Sequence, residues 1–202
     1  MSRVALFLNG QAPKNFPELS QFSQIFCTDG AYRYLREKGI KPDVVSGDFD
    51  SLSTQEIMDG SEVVETPDQN FTDFEKALQI ILKRNFYDVY IYGSSGMEHD
   101  HFLGNLSTGL KYKDQLNIVF FDDYSCYFFA EKETLLEDYN GRIISLYPFP
   151  KAQKITTKGL KYTLNDEDLE ISNRIGTRNE ALEDKVSIQF KEGNLLIFIK
   201  NR

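Results

Sequence analysis

The sequence predicts an α/β fold, with an N-terminal, mostly parallel, Rossmann-like sheet and flanking helices, followed by a C-terminal all-β sandwich domain. Over the first two-thirds of the chain, short apolar runs alternate with helical patterns, which is typical of crossover units in a parallel sheet. After about residue 131 the runs become strand-like, with turn residues between them and no helical pattern. A chain of 202 residues can hold two small domains. We therefore divide it into residues 1–131 and 132–202.

The elements of the first domain follow from these patterns. Strands are predicted at 4–8, 25–28, 44–46, 63–65, 89–92 and 118–121, and helices at 31–38, 54–58, 72–84 and 102–112. The third helix is the clearest, because its apolar residues share one face. Thr72 and Glu75 have the spacing of a capping box, so this helix should begin at Thr72.

The second domain is predicted from strands alone. They lie at 142–147, 154–157, 169–172, 185–190 and 195–199, with turns at 140–141 and 192–194. A domain of about 65 residues is marginal by itself, so we expect it to pack on the first domain or on a second subunit.

Composition narrows the range of partners and compartments. Acidic residues outnumber basic ones, 31 to 23, which argues against duplex nucleic acid and anionic membranes as partners. No apolar stretch approaches the roughly 20 residues that span a bilayer, and the N-terminal apolar run is too short for a signal peptide. Cys27 and Cys126 lie in apolar, strand-like surroundings, which favours free thiols. We expect a soluble protein in the reducing cytoplasm.

Aspartate or glycine follows four successive predicted strands. Ligands of open parallel sheets bind beyond the carboxyl ends of the strands, so these positions are candidates for function. Asp29 follows the second strand, Asp48 and Asp50 the third, and Asp73 the fourth. The fifth strand is followed by the loop 93–96, which contains Gly93, Ser94 and Gly96, and then by Asp100.

Asp48 and Asp50 form the strongest candidate for a metal site. In an extended chain, residues two apart point to the same face, and two converging carboxylates repel unless a cation lies between them. Mg²⁺ takes one or two carboxylates together with phosphate oxygens and water. A simple turn explains the same residues, since Asp, Gly and Ser are all turn formers.

The other positions also have structural explanations. Asp73 in a first helical turn is stabilised by the helix dipole without any function. Lys76, on the same helical face, could reach a phosphate or could be solvated. The loop 93–96 allows a ligand to approach the backbone but lacks the Gly-Lys-Ser/Thr of a P-loop. Asp100 could cap the helix after it. Neither a serine elbow nor an activated cysteine is evident, which argues against a nucleophilic side chain. The aspartates at the strand ends instead favour Mg²⁺-dependent transfer of phosphate groups from a nucleotide.

Taken together, these segments resemble the thiamin pyrophosphokinase family. The matching segments of the first domain are 28–31, 41–51, 66–78 and 100–106, and those of the second are 159–164 and 176–180. The resemblance covers essentially the whole chain. It implies a homodimer with the active site between subunits, and transfer of the terminal pyrophosphate of ATP to the hydroxyethyl group of thiamin, which gives thiamin pyrophosphate and AMP.

The resemblance also implies roles for individual residues. Asp48, Asp50 and Asp73 would hold Mg²⁺, and Asp29 and Asp100 would lie beside the reacting groups. Lys76 would contact phosphate, and Tyr162 and Asn179 would face the thiamin ring. The full set of expected substrate-binding residues is Lys76, Gly93, Ser94, Gly96, Asn105, Tyr162, Thr177 and Asn179.

Two positions depart from the family pattern. Glu98 stands where the family usually has a basic residue, and Arg178 replaces the serine that usually precedes Asn179. Two alternatives therefore stay open. One is a related pyrophosphokinase for another small alcohol, such as a hydroxymethyl pterin. The other is a catalytically inactive homologue that binds nucleotide or thiamin.

Overall fold

The computed structural model describes residues 2–50, 57 and 60–201. The chain divides into two compact units, Met1–Asp123 and Tyr124–Arg202, so the division lies earlier in the chain than the residue 131 suggested by sequence. The helix predicted at 54–58 lies outside the described residues, apart from Ile57.

The first unit is built on a parallel sheet. Its strands are β1 (Arg3–Phe7), β2 (Gln24–Thr28), β3 (Val44–Gly47), β4 (Glu62–Glu65), β5 (Asp88–Tyr92) and β6 (Asn117–Phe121). They are ordered β4-β3-β2-β1-β5-β6, and every neighbouring pair is parallel. The chain therefore moves outward from β1 to β4, returns to β5 on the other side of β1, and continues to β6. This reversal puts the topological switch point between β1 and β5.

Three α-helices connect these strands in the described part of the unit. They are α1 (Asp29–Glu37), α2 (Asp73–Lys83) and α3 (His99–Tyr112), and a short 3₁₀ helix spans Leu19–Gln21. Both α1 and α3 begin earlier than predicted, which brings Asp29 and Asp100 into first helical turns. The central strand β1 is buried from Val4 to Phe7, as expected for a sheet strand covered on both faces.

The capping box predicted for α2 is half formed. The Thr72 hydroxyl accepts a hydrogen bond from the Glu75 amide at 3.2 Å, which confirms the start of the helix. The reciprocal bond, which the Thr72 amide would donate to the Glu75 carboxylate, is not formed. That carboxylate is buried and instead accepts from Lys111 Nζ at 2.5 Å and from the Tyr112 hydroxyl at 3.2 Å, both on α3.

The second unit consists of strands. They are β7 (Ser125–Phe129), β8 (Glu133–Glu137), β9 (Ile143–Lys158), β10 (Asn165–Glu170), β11 (Gly176–Glu180), β12 (Lys185–Gln189) and β13 (Glu192–Lys200). Antiparallel pairing gives the order β7-β13-β9-β12-β8, and β10 and β11 also pair with β9. The buried apolar side chains of these strands form one core cluster.

Several predicted boundaries in this unit were wrong. The strands predicted at 142–147 and 154–157 are one strand, β9, because pairing with β13 continues past Pro148. The turn predicted at 192–194 lies inside β13, where a register shift accommodates Gly193. The prediction missed β7, β8 and β11, and the last of these has no apolar alternation to reveal it.

Two predictions about the whole chain can also be compared with the structure. Cys27 and Cys126 are thiols that are not joined in a disulfide, as predicted. Among the helices that the structure describes, none has the length and apolarity needed to cross a membrane.

Candidate active site

A cleft of about 390 Å³ lies at the switch point of the parallel sheet. Its wall is formed by the residues after β1, β2 and β5 and by the first turns of α2 and α3. Three predicted catalytic residues, Asp29, Asp73 and Asp100, line this cleft, as do the predicted binding residues Gly93, Ser94 and Asn105. Gly96, Asp48, Asp50 and Lys76 are not among the lining residues.

The loop after β1 belongs to the cleft, although sequence reasoning missed it. Asn9 and Gly10 line the wall, and the Gly10 amide donates to the Gly93 carbonyl oxygen at 2.8 Å. A Cβ on Gly10 would collide with that same carbonyl oxygen, so only glycine allows the two loops to approach. The available signal was an Asn-Gly pair directly after the first apolar strand.

The loop after β5 is held in place from two sides. Gly93 has φ +69°, and a side chain there would meet the Leu8 carbonyl oxygen. The Tyr34 hydroxyl donates to that carbonyl at 2.9 Å, and Asn105 Nδ2 donates to the Ser94 carbonyl oxygen at 2.9 Å. Asn105 therefore ties α3 to this loop, in addition to any contact it makes with a ligand.

Asp29 is a buried carboxylate fixed by backbone donors. It accepts from the Gly30 amide at 2.6 Å and from the Phe49 amide at 3.0 Å. Burial raises the pKa of Asp29, the two backbone hydrogen bonds oppose this rise, and the negative charges of Asp73 and Asp48 add to it. Ionised Asp29 is thus repelled by both Asp48 and Asp73.

The loop after β3 is not extended, which corrects one step of the sequence argument. Phe49 has φ +57°, a left-handed conformation that is strained for a residue with a side chain. The rule that residues two apart share a face therefore does not apply to Asp48 and Asp50. Asp48 instead accepts from Gln69 Nε2 at 3.1 Å and from the Asp50 amide at 3.3 Å, and these two bonds, led by that of Gln69, lower its pKa.

The predicted metal ligands are only partly brought together. Asp48 and Asp73 are close enough to Asp29 to shift its pKa, but Asp50 is exposed. Over residues 2–50, 57 and 60–201, no three His, Cys, Asp or Glu side chains are arranged to bind a metal ion. The ligand set Asp48, Asp50 and Asp73 stays a prediction.

Lys76 is buried, with only 6% of its surface exposed. Its ammonium group lies 2.7 Å from Asp73 Oδ1 and donates to the Thr66 carbonyl oxygen at 2.8 Å. In this arrangement it neutralises Asp73 from behind the cleft wall. A direct contact between Lys76 and phosphate stays a prediction.

Two buried hydroxyl groups lie at the carboxyl ends of β2 and β4. Within the described residues, Thr28 Oγ1, on the last residue of β2, and Thr66 Oγ1, directly after β4, have no hydrogen-bond partner. A buried hydroxyl without a partner costs free energy. The polar groups at these strand ends are therefore not fully satisfied by the protein itself.

Glu98 lies at the rim of the cleft. Its side chain is 73% exposed and lies 3.0 Å from His101 Nδ1, one turn further along α3. It is the N-cap residue of α3, but its side chain makes no capping hydrogen bond. Glu98 is thus directed toward solvent and toward His101.

The residues expected to bind thiamin lie in the second unit. Tyr162 is exposed in the bend between β9 and β10, and Asn179 is buried on β11. Thr177 and Arg178 are exposed on the same strand. Arg178 has φ +55°, and its amide donates to Ser145 Oγ at 2.9 Å.

Comparisons with known proteins agree with this arrangement. Residues 17–120 match the family model described as thiamin pyrophosphokinase, catalytic domain, and residues 132–195 match thiamin pyrophosphokinase, vitamin B1 binding domain. The thiamine pyrophosphokinase of Bacillus subtilis is 28% identical over 176 residues, which cover 83% of this chain and 82% of the relative. Thiamin pyrophosphokinase 1 of Caenorhabditis elegans is 27% identical, over 96% of this chain and 87% of its own length.

Solved structures show the same similarity. The crystal structure of the Bacillus subtilis thiamine pyrophosphokinase superimposes with a TM-score of 0.82 at 26% identity, covering 98% of this chain and 99% of that one. A thiamin pyrophosphokinase family protein of Enterococcus faecalis has the same fold, with a TM-score of 0.86 at 22% identity and full coverage of both chains. The two family models together span most of the sequence. This chain belongs to the thiamin pyrophosphokinase family.

Proposed function

We propose that this protein transfers the terminal pyrophosphate of ATP to the hydroxyethyl group of thiamin, with thiamin pyrophosphate and AMP as products. The observation that carries the proposal is the cleft at the switch point of the sheet, where Asp29, Asp73 and Asp100 face the glycine-containing loops after β1 and β5. Membership of the family supports the choice of thiamin as the acceptor.

The carboxylates at the strand ends fit a divalent cation. They are hard oxygen donors of the kind that Mg²⁺ binds, and burial together with their mutual repulsion raises the pKa of Asp29. We propose that Asp48, Asp50 and Asp73 hold this cation. When bound, it would neutralise the charge of the polyphosphate and offset the repulsion between substrate and protein.

The protein's own groups would orient the substrates. The loops after β1 and β5 would hold the nucleotide, because Gly10 and Gly93 let these two loops pack together and Asn105 fixes the Ser94 carbonyl. Asp29 is held by two backbone amides beside the cleft, and Asp100 lies in the first turn of α3. We propose that these two carboxylates position the thiamin hydroxyl for attack and accept its proton.

The finer features of the fold and assembly are part of the same proposal. We propose that the first unit is Rossmann-like, which its order reversal at β1 and β5 supports. We propose that the second unit is a sandwich in which β9 passes between two layers. It pairs with β13 up to Gln153 and with β12 from Thr156, with Lys154 at φ +57° between them. We propose a homodimer with a shared active site, which is supported by four exposed apolar side chains of the second unit, Tyr162, Ile171, Ile175 and Leu182. We also place the enzyme in the cytoplasm.

Product analysis tests the proposed reaction. The protein is incubated with ATP, Mg²⁺ and thiamin, and nucleotides and thiamin species are separated and quantified. We expect AMP and thiamin pyrophosphate in equal amounts, and neither product without Mg²⁺ or with EDTA. The variant Asp48→Asn should form both products roughly 10²–10³-fold more slowly while keeping the thermal unfolding profile of the natural protein.

The other outcomes exclude the proposal in distinct ways. Formation of ADP with a monophosphate ester would indicate single phosphate transfer. Turnover of a hydroxymethyl pterin but not of thiamin would identify a related pyrophosphokinase. Binding of thiamin without any turnover would identify an inactive homologue.

A further inference from the structure

The side chain of Asn179 holds the backbone of Tyr162. Asn179 Oδ1 accepts from the Tyr162 amide at 3.0 Å, and Nδ2 donates to the Tyr162 carbonyl oxygen at 2.7 Å. One amide group thus satisfies both backbone polar groups of a residue 17 positions earlier in the chain. The same Oδ1 also accepts from the Glu180 amide at 2.9 Å. The amide and carbonyl of Tyr162 are therefore fixed without any strand pairing of their own.

The backbone of β11 is shaped to direct Asn179 inward. On β11, Gly176 pairs with Leu146 and Asn179 with Ile144, so three steps on one strand match two on the other. This bulge contains Arg178, whose φ of +55° turns the chain and whose amide is held by Ser145. Bulges commonly re-aim a side chain in this way. Beyond the bulge, the Lys161 amide donates to the Glu180 carbonyl at 2.8 Å, which keeps the two segments together.

The two side chains differ in what they can offer a ligand. Asn179 is only 8% exposed, and both of its polar atoms are engaged by the protein. Tyr162 is 65% exposed, so its ring is open to a stacking partner. A ring on a rigid backbone loses less entropy when a ligand stacks on it than a ring on a mobile loop.

We infer that Asn179 is a positioning residue, which holds Tyr162 so that its ring can stack on the thiamin heterocycle, and that Asn179 does not itself contact thiamin. This inference rests on the proposed function for the identity of the ligand. The fixed position of the Tyr162 backbone does not depend on the proposed function, because it follows from the two hydrogen bonds between Asn179 and Tyr162.

The first test measures the mobility of position 162 directly. The natural chain contains no tryptophan, so Tyr162→Trp introduces the sole indole fluorophore. In this background, Asn179→Ala should lower the steady-state anisotropy of the indole emission and increase its quenching by iodide at least twofold. Asn179→Asp keeps the two accepted hydrogen bonds and loses the donated one, so its anisotropy and quenching should lie between those of the natural residue and of Asn179→Ala. This variant replaces Asn179→Ala in the test if the alanine variant does not fold.

Matched controls separate this effect from general loosening. Asn173→Ala removes an exposed asparagine of the same unit and should leave the anisotropy unchanged. Tyr87→Trp places an indole at another exposed tyrosine, and its anisotropy should not respond to Asn179→Ala. Unchanged anisotropy at position 162 in both Asn179 variants would overturn the positioning role, whether or not the protein uses thiamin.

The second test is a double-mutant cycle on the KM for thiamin. A lost cation–π contact corresponds to about a 2- to 30-fold rise in KM, and Asn179→Ala should produce part or all of that rise without changing the KM for ATP. In the Tyr162→Ala background, Asn179→Ala should have no further effect, because the ring it positions is gone. An equal rise in both backgrounds would show that Asn179 contacts thiamin independently.

If the natural enzyme makes no thiamin pyrophosphate, the proposed function fails, and the anisotropy result still decides the positioning role.

Discussion

The cleft of the first unit and the Tyr162 region of the second are built in different ways. In the cleft, the carboxylate of Asp29 at the end of a parallel strand is fixed by the backbone amides of Gly30 and Phe49. Around Tyr162, a buried side chain fixes the backbone, and an aromatic ring remains exposed. The first arrangement suits a charged group that needs a cation, and the second suits a flat apolar ring. This difference fits a chain that divides the two substrates of one reaction between two kinds of site.

The largest expected effect concerns the carboxylates of the first unit. Asp48→Asn, Asp50→Asn and Asp73→Asn should each lower kcat by roughly 10²–10³-fold, because each removes charge that would hold the cation and thereby the polyphosphate. The measurement is the rate of AMP formation with saturating ATP and thiamin. Asp114→Asn, an exposed carboxylate paired with Lys113, is the matched control and should have natural activity. Near-natural activity in any two of the three variants would rule out the proposed metal site.

A smaller effect is expected at the aromatic ring of the second unit. Tyr162→Ala should raise the KM for thiamin by about 2- to 30-fold with less change in the KM for ATP, because a cationic thiazolium would lose its stacking partner. Tyr162→Phe keeps the ring and should behave like the natural enzyme. If Tyr162→Ala changes only the KM for ATP, the assignment of the two substrates to the two regions is reversed.

Substitution of Glu98 tests whether an acidic residue at the rim of the cleft affects turnover and ATP binding. The side chain is exposed and paired with His101, so Glu98→Arg should leave kcat unchanged and leave the KM for ATP unchanged or lower it. Steady-state kinetics with varied ATP measures both constants, and Glu98→Gln separates loss of negative charge from gain of positive charge. A large loss of turnover in Glu98→Arg would show that this carboxylate takes part in catalysis or metal binding.

Substitution of Asp29 should show that its ionised carboxylate lowers the stability of the folded protein. Its folded-state pKa is raised, first by burial, so the folded protein binds this proton more tightly than the unfolded chain. The contribution of Asp29 to stability therefore falls as the pH rises through its pKa, and ionised Asp29 is unfavourable at neutral pH. Asn at this position keeps an acceptor for only one of the two backbone amides, because Gly30 and Phe49 donate to different carboxylate oxygens. Removal of the buried charge should still give Asp29→Asn a gain in melting temperature at pH 7, relative to its effect at low pH, while lowering activity.

The pH dependence of this gain distinguishes its cause. The melting temperature of Asp29→Asn minus that of the natural protein should fall as the pH is lowered, because Asp29 of the natural protein then becomes protonated. Thermal unfolding without Mg²⁺ or nucleotide, from pH 7 down to pH 4, measures it. The exposed Asp114→Asn should show no such pH-dependent gain. A gain that is constant over this range would rule out the burial and repulsion of an ionised carboxylate as its source.

The sequence predicted the first unit well because its apolar strands are short, nearly continuous and followed by polar residues. Each predicted strand of that unit has a counterpart in the structure, and Thr72 caps α2 as expected. The site could be placed at the carboxyl ends of the strands before the order of the strands was known. What the sequence could not reveal was the left-handed conformation of Phe49, because it depends on how Asp29 and the loop after β3 meet.

The second unit was harder to predict, for a physical reason. Its strand β11 is polar and irregular, so periodicity does not reveal it, and the length of β9 depends on pairing with strands far away in the sequence. The resemblance predicts that Tyr162 and Asn179 face thiamin but does not separate their roles. Only the structure shows that the side chain of Asn179 is hydrogen-bonded to the backbone of Tyr162.

The transfer of an intact pyrophosphate group is tested most directly by following the β-phosphorus of ATP. With ATP labelled at the β position, together with Mg²⁺ and thiamin, we predict that the label moves to the thiamin product and that the remaining nucleotide is unlabelled AMP. The same experiment with Asp73→Asn should leave the label in ATP. Label retained in ADP, with thiamin carrying only an unlabelled γ-phosphate, would contradict pyrophosphate transfer as the reaction of this protein.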